Sequence, residues 1–122
     1  MTVDLAFDKP ILLAGDTLNL TGSFNATPDK TEVLLTIGVI RPDGFTEYPL
    51  YLTRFQPSQG ATTFQGMQTI PYLTKMPGLH RIFAHIYVYS DSQQIDEEMT
   101  RELWILVLPS FAWLEAHLLG RT

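Results

Sequence analysis

Three histidines and one run of acidic residues are the groups in this chain whose types could carry chemistry. His80 and His85 stand five residues apart, and in an extended strand an odd spacing sends side chains to opposite faces. The pair therefore cannot close on one metal ion at the roughly 2 Å ligand distances that zinc requires. His117 lies far along the chain in a different segment. There is no cysteine, which removes thiolate metal sites, disulfides and thiol nucleophiles together. With serines only at turn or solvent positions, neither a nucleophilic triad nor a hydrolytic zinc centre has visible parts. Ser90-Asp91-Ser92-Gln93-Gln94-Ile95-Asp96-Glu97-Glu98 gathers oxygen ligands without the spacing of a calcium loop. It reads as a solvated acidic hairpin, or as a weak calcium contact through Asp91 and Asp96. No catalytic residue, metal ligand or cofactor site is expected.

Two apolar groupings suggest recognition instead. Phe83, Tyr87 and Tyr89 share one face of a strand whose other face carries Ile82, Ala84, Ile86 and Val88, and only one of these faces can line a central core. Left open, the aromatic face, with Tyr48 or Tyr51 beside it, suits stacking on sugar rings. Covered by a helix or another strand, it is a second core layer. The other grouping is Ser110-Phe111-Ala112-Trp113-Leu114-Glu115-Ala116-His117-Leu118-Leu119. Ser110 can cap a helix running from Phe111 to about Leu119, and Gly120 can end it. Phe111, Leu114 and Leu118 share one face while Trp113 points elsewhere, so the helix is apolar almost all round. A helix this short is marginal alone in water, and burying Trp113 is worth roughly 2–3 kcal/mol. Its cover is the domain itself, a second copy of the chain or a partner protein, and Phe111, Trp113, Leu114 and Leu118 are the candidate contact residues.

The segments that must position these groups alternate with a period of two. Val3 to Phe7 turns Val3, Leu5 and Phe7 to one side, and Thr17 to Phe24 turns Leu18, Leu20 and Phe24 inward. Glu32 to Ile40 is dense in aliphatic residues, as expected of a central strand covered on both faces. Pro42-Asp43-Gly44 has the residues of a type I turn, so Phe45 to Phe55 should return antiparallel, at an edge because of Pro49. A strand from Thr62 to Ile70 contains Gly66, a sign of a bulge or a close approach. Leu79 to Tyr89 and Leu103 to Leu108 complete seven strands, with the acidic loop between the last two. Seven short strands with regular turns and no helical period before residue 110 predict an all-β, antiparallel, immunoglobulin-like sandwich with a short C-terminal helix. Residues 1–109 form the sandwich, and residues 110–122 a helix that packs on it or on a partner.

The stretch from Lys9-Pro10-Ile11 through Gly15-Asp16-Thr17-Leu18-Asn19-Leu20, with Pro42-Asp43-Gly44 and Pro77-Gly78-Leu79-His80, resembles immunoglobulin-like domains of bacterial surface proteins and macroglobulin-type proteins. The resemblance spans Val3 to Leu108. It implies a non-enzymatic spacer or recognition module, and it carries over no functional residues.

Composition narrows the partners. The 122 residues are 45% hydrophobic and 17% charged, with a formal net charge of −5. That balance excludes disorder and gives no electrostatic basis for binding nucleic acid or an anionic membrane. The longest apolar run, Leu103 to Leu108, is strand-sized against the roughly 20 residues of a spanning helix. Met1-Thr2-Val3-Asp4-Leu5 has no signal-peptide pattern, so the expectation is a cytoplasmic chain or a domain excised from an extracellular or cell-surface protein. Asn19-Leu20-Thr21 and Asn25-Ala26-Thr27 match a glycosylation pattern and are read as chance. The function expected is a non-catalytic interaction or structural module that self-associates or binds a partner through the C-terminal helix. The alternative is a carbohydrate-binding module stacking sugars on Phe83, Tyr87 and Tyr89.

Overall fold

Alternation decides which side chains turn inward, and the chain folds accordingly in a computed structural model that describes residues 1–118. The strands are β1 (Thr2–Phe7), β2 (Ile11–Leu13), β3 (Thr17–Ala26), β4 (Glu32–Ile40), β5 (Thr46–Phe55), β6 (Phe64–Leu73), β7 (Gly78–Ser90), β8 (Gln93–Met99) and β9 (Leu103–Leu108); a helix, α1 (Phe111–Leu118), follows. A three-stranded sheet has the order β1-β3-β6. A six-stranded sheet has the order β2-β9-β7-β4-β5, with β8 also paired to β7. The two sheets bury Leu18, Leu20, Ile37, Val39, Ile82 and Ile105 in one cluster, and Phe24, Val33, Leu35, Ile86 and Val88 in another. The all-β reading with a short C-terminal helix therefore holds.

The strand count does not hold: the described residues form nine strands rather than seven, and one pairing is parallel. The first extra strand comes from a change of sheet. The carboxylate of Asp8 accepts hydrogen bonds from Asn19 N (2.9 Å) and Asn19 Nδ2 (3.0 Å), which pins the end of β1. Pro10 brings no backbone donor to continue that ladder. The chain crosses to the other layer, where Ile11, Leu12 and Leu13 pair in parallel with Leu106, Val107 and Leu108. The second extra strand is the stretch expected to be an acidic loop. Asp91 (φ 50°) and Ser92 (φ 67°) make a tight turn with the positive φ angles of a two-residue hairpin, and Gln93 to Met99 pairs back along β7. Every β8 residue is exposed, so no burial pattern marks the strand in the sequence. Thr100 then spans the gap between β8 and β9, donating from its N to Ala84 O and accepting from Ala84 N at its Oγ1, both at 2.9 Å.

Two local expectations are met. β5 lies at the edge of its sheet, as Pro49 requires. Gly66 marks a close approach: a Cβ there would enter the ring of Phe24 and lie 2.8 Å from Phe55 Cδ1. Phe24 is nearly fully buried, edge-on to Phe55 (5.1 Å) and Phe64 (5.3 Å), and has nowhere to go. At Gly22 the same Cβ would meet Leu35 and Ile37 at 3.4 Å, ordinary contact. In urea unfolding, Gly66→Ala is expected to cost about 1–3 kcal/mol through overpacking, and Gly22→Ala less than about 1 kcal/mol.

Candidate functional site

The two outer faces of the sandwich differ in polarity. On the three-stranded sheet Thr17, Asn19, Thr21, Asn25, Gln65 and Thr69 point outward, with Met67 and Leu73 exposed among them, and Thr21 and Thr69 share a 2.8 Å hydrogen bond. On the six-stranded sheet the outward residues of β2, β9 and β7 form apolar rows set by register. Leu13 lies opposite Leu108; Ile11, Leu106 and Leu79 form the next row, and Trp104 stands opposite Arg81. Directly opposed residues of neighbouring strands bring their Cβ atoms within about 5 Å, so these rows form one surface. Its apolar members are 37–61% exposed. Arg81 sits at its rim with Nη1 3.3 Å from Glu102 Oε2. A strand apolar on both faces is ordinarily covered on both, yet in β9 only Ile105 and Val107 are buried while Trp104, Leu106 and Leu108 face out. Counting Leu103 to Leu108 simply as the last strand left this surface unread, although the lack of any polar residue in Leu-Trp-Ile-Leu-Val-Leu was its signal.

The C-terminal helix forms where expected. Ser110 Oγ accepts from Trp113 N at 3.1 Å and Ser110 O from Leu114 N at 2.9 Å, the N-cap geometry. The expected stop at Gly120, and Leu119, lie outside the described residues. The four candidate contact residues divide. Trp113 is half-buried against the core cluster that holds Leu18 and Ile105, and its ring stacks on His117 at 4.4 Å. His117 Nδ1 donates to Trp113 O at 2.9 Å. Leu114 is half-buried, whereas Phe111 (82%) and Leu118 (71%) are open to solvent. The helix is thus anchored on its own domain by Trp113 and presents Phe111 and Leu118 outward.

Phe83, His85, Tyr87 and Tyr89 occupy the outer face of β7 and are half-buried. Their partner is Tyr48 on β5, which stacks on Phe83 (5.4 Å), while His85 stacks on Tyr87 (4.3 Å). Room for this comes from Gly38, where a Cβ would strike the rings of Phe83 and Tyr48. Hydroxyls link the rings. Tyr48 Oη bonds to Tyr87 Oη and to His85 Nδ1 (3.2 Å), and His85 Nε2 reaches Glu97 Oε2 at 3.0 Å. Because the carboxylate only accepts, His85 carries its proton on Nε2, and with the ring neutral the direction runs Tyr87 to Tyr48 to Nδ1. Burial and the bond to Tyr48 push the Tyr87 phenol up to about 12, so it remains a donor. This chain of titratable groups was not read in the sequence, because it depends on the irregular register between Ile37 and Val39 that brings Tyr48 over Gly38.

A cleft of about 210 Å³ opens between the edges of β5 and β6, lined by Arg41, Glu47, Leu50, Pro71, Tyr72, Leu73, Lys75, Met76 and His80. Arg41 is held by Asp43 (2.9 Å) and Glu47 (3.4 Å). Burial pushes the Tyr72 phenol up to about 12 and holds the fully buried His80 imidazole below its ordinary value. Asp91 lies in the β7–β8 turn, and Asp96 pairs with Val88 within β8. Among the described residues no three His, Asp or Glu side chains converge on a metal-sized site.

No protein-family model matches this chain, and no curated protein matches it. Among solved structures it is similar to Spo0M, the sporulation control protein of Bacillus subtilis, with a TM-score of 0.51 and 14% identity over 97% of this chain. The match covers 53% of the Spo0M chain, so this chain spans about half the length of that structure. The alkylpurine DNA glycosylase AlkC of Pseudomonas fluorescens, bound to DNA containing an abasic site analog, aligns over 87% of this chain and 30% of its own at 15% identity, with a TM-score of 0.43. The likeness to Spo0M shows a shared fold.

The state of His80 has a measurable consequence. Its folded pKa lies below the unfolded value, so the unfolded chain takes up a proton first as the pH falls. The stabilisation is complete above about pH 6.5 and declines below it. Between pH 7.5 and 5.5 the melting temperature of the wild type is expected to fall more steeply than that of His80→Leu, as followed by calorimetry.

Proposed function

We propose that this chain is a non-catalytic interaction module whose partner is a second copy of itself. The observation that carries the reading is the set of registered apolar rows on β2, β9 and β7. They offer on the order of 600 Å² of apolar surface, at the upper end for a monomer's largest patch. Phe111 and Leu118 on α1 expose apolar area of their own, and a standard interface takes about 800 Å² from each partner. A second copy fits this surface in shape and charge. Two identical pleated faces pack across about 10 Å through interdigitating side chains, and a two-fold axis makes the patch its own complement. The rows hold no carboxylate, so the net charge of −5 stays outside the contact. Trp113 and Leu114 would support the interface from beneath by fixing α1 on the domain.

Strand order supports an immunoglobulin-like wiring for the module. β1, β3 and β6 correspond to A, B and E of that fold, and β4, β5, β7 and β9 to C, C′, F and G. In this reading β2 is a continuation of A on the opposite sheet, and β8 is the first half of an interrupted G.

Carbohydrate binding is the second reading, favoured by the position of Tyr87 and Tyr89 on an outer face. The stacking of Tyr48 on Phe83 and of His85 on Tyr87 already occupies ring faces that a sugar would need, which places this reading below self-association.

Light scattering on the purified chain is expected to give twice the 13.8 kDa chain mass. The double change Trp104→Ser/Leu106→Ser should weaken association at least tenfold, since each buried apolar side chain contributes roughly 1.5–3 kcal/mol. Phe111→Ser/Leu118→Ser separately reports the share of the helix. A monomer at every concentration, or a dimer indifferent to both pairs of changes, overturns self-association; hits on a glycan array that are lost in Tyr87→Ala would then transfer the function to the aromatic face.

A further inference from the structure

Tyr48, His85 and Glu97 form a hydrogen-bonded line on the outer face of the larger sheet, one residue each from β5, β7 and β8. Tyr48 Oη has three polar neighbours: Tyr87 Oη, Thr36 Oγ1 at 3.2 Å and His85 Nδ1 at 3.2 Å. The two hydroxyls can donate to it. Nδ1 cannot, because the His85 proton sits on Nε2, 3.0 Å from the Glu97 carboxylate, so the Tyr48 hydrogen belongs to Nδ1. A phenol is thereby held against a neutral imidazole that a carboxylate orients as a base.

Such a line makes it easier to take an electron from the phenol. A phenol that loses an electron becomes a strong acid, and the loss is unfavourable unless its proton leaves in the same step. Here the acceptor is in place. A one-electron oxidant removes an electron from Tyr48, the Oη–H bond breaks, and the proton forms a new N–H bond at His85 Nδ1. The products are a neutral Tyr48 phenoxyl radical, an imidazolium and the reduced oxidant. Glu97 offsets the imidazolium charge, and the phenoxyl oxygen accepts from Nδ1–H and from Tyr87 Oη–H. Tyr51 supplies the contrast. It lies on the same strand and is 39% exposed against 38% for Tyr48, yet among the described residues its hydroxyl has no histidine partner. Access for an oxidant is equal at the two tyrosines, and only one of them has a base.

We propose that Tyr48 is a redox site, which gives one electron to a one-electron oxidant from solvent while His85 takes its proton. The site lies on β5, β7 and β8, whereas the apolar rows lie on β2, β9 and the Gly78 end of β7. Electron transfer and self-association are therefore separable.

The test treats the full chain with hexachloroiridate(IV), an anionic oxidant that takes single electrons, and locates the tyrosyl radicals with a nitroso spin trap and peptide mass spectrometry. In the wild type the trap is expected on Tyr48 in roughly tenfold or greater excess over Tyr51, as a positioned base allows. His85→Phe keeps a ring in the stack but no base, and should bring that ratio to about one. Glu97→Gln keeps a partner for Nε2 but removes the charge that offsets the imidazolium, and should lower the ratio. Losing a carboxylate can only favour encounter with an anionic oxidant, so a fall in Glu97→Gln reports on the proton acceptor. Equal trapping at the two tyrosines in the wild type, or a ratio left unchanged by His85→Phe, overturns the proposal. If His85→Phe does not fold, an unchanged ratio in Glu97→Gln, at an exposed position, overturns it instead.

Discussion

The thirteen-residue strand β7 is the element on which the rest of the structure depends. Along one edge it pairs with β4 from Arg81 to Tyr89; along the other it carries β9 against Gly78 to Ile82 and β8 against His85 to Ser90. Its inward residues Ile82, Ala84, Ile86 and Val88 are completely buried and join both core clusters. Its register is fixed by alternation, since a slip of one residue would exchange these four for Arg81, Phe83, His85 and Tyr87. Setting that register also sets the outer face. Leu79 falls in line with Leu106 and Ile11, Phe83 comes to lie over Gly38, and His80 turns into the core.

The corner where the first strand changes sheets is held by short polar bonds rather than by burial. Asp8 fastens β1 to β3, its carboxyl held below the ordinary carboxylate range chiefly by the backbone N–H of Asn19. Asp16 Oδ2 accepts from Leu13 N at 3.0 Å, and the buried Thr74 donates its hydroxyl to Asp16 O at 2.7 Å. Gly15, with a φ of 101°, takes the positive dihedral that a side chain would resist, and its N–H donates to Thr74 O. These bonds deliver β2 to the edge of β9. The parallel pairing of Ile11 and Leu13 with Leu106 and Leu108 then doubles the width of an apolar face that β9 alone would present as a narrow stripe.

The candidate interaction surface follows from the way in which this sandwich is incomplete. Among the described residues no third layer lies over the apolar rows of β2, β9 and β7 on its larger sheet. Its sheets also part at the β5 and β6 edges, where the cleft walled by Leu50, Tyr72 and Met76 opens.

Much of this was legible in the residues. Leu18, Leu20 and Phe24 alternating with Thr17, Asn19, Thr21 and Ser23 specify a half-wet strand, Pro49 specifies an edge, Gly66 a close approach and Ser110 a helix start, because each acts through local geometry that no distant partner needs to supply. β8 escaped the strand count, although its stretch reads as an acidic hairpin, because all its residues face water. What tertiary structure alone decided is which apolar side chains lose their solvent. Trp113 packs inward while Phe111 and Leu118 stay open, and Ile105 and Val107 are buried while Trp104 and Leu106 are not. The pairing of Tyr48 with His85 and the unpartnered Nε2 of His80 belong to the same class, since hydrogen bonding between residues far apart in the chain depends on how the layers meet, and the period of a strand carries no record of what lies across from it.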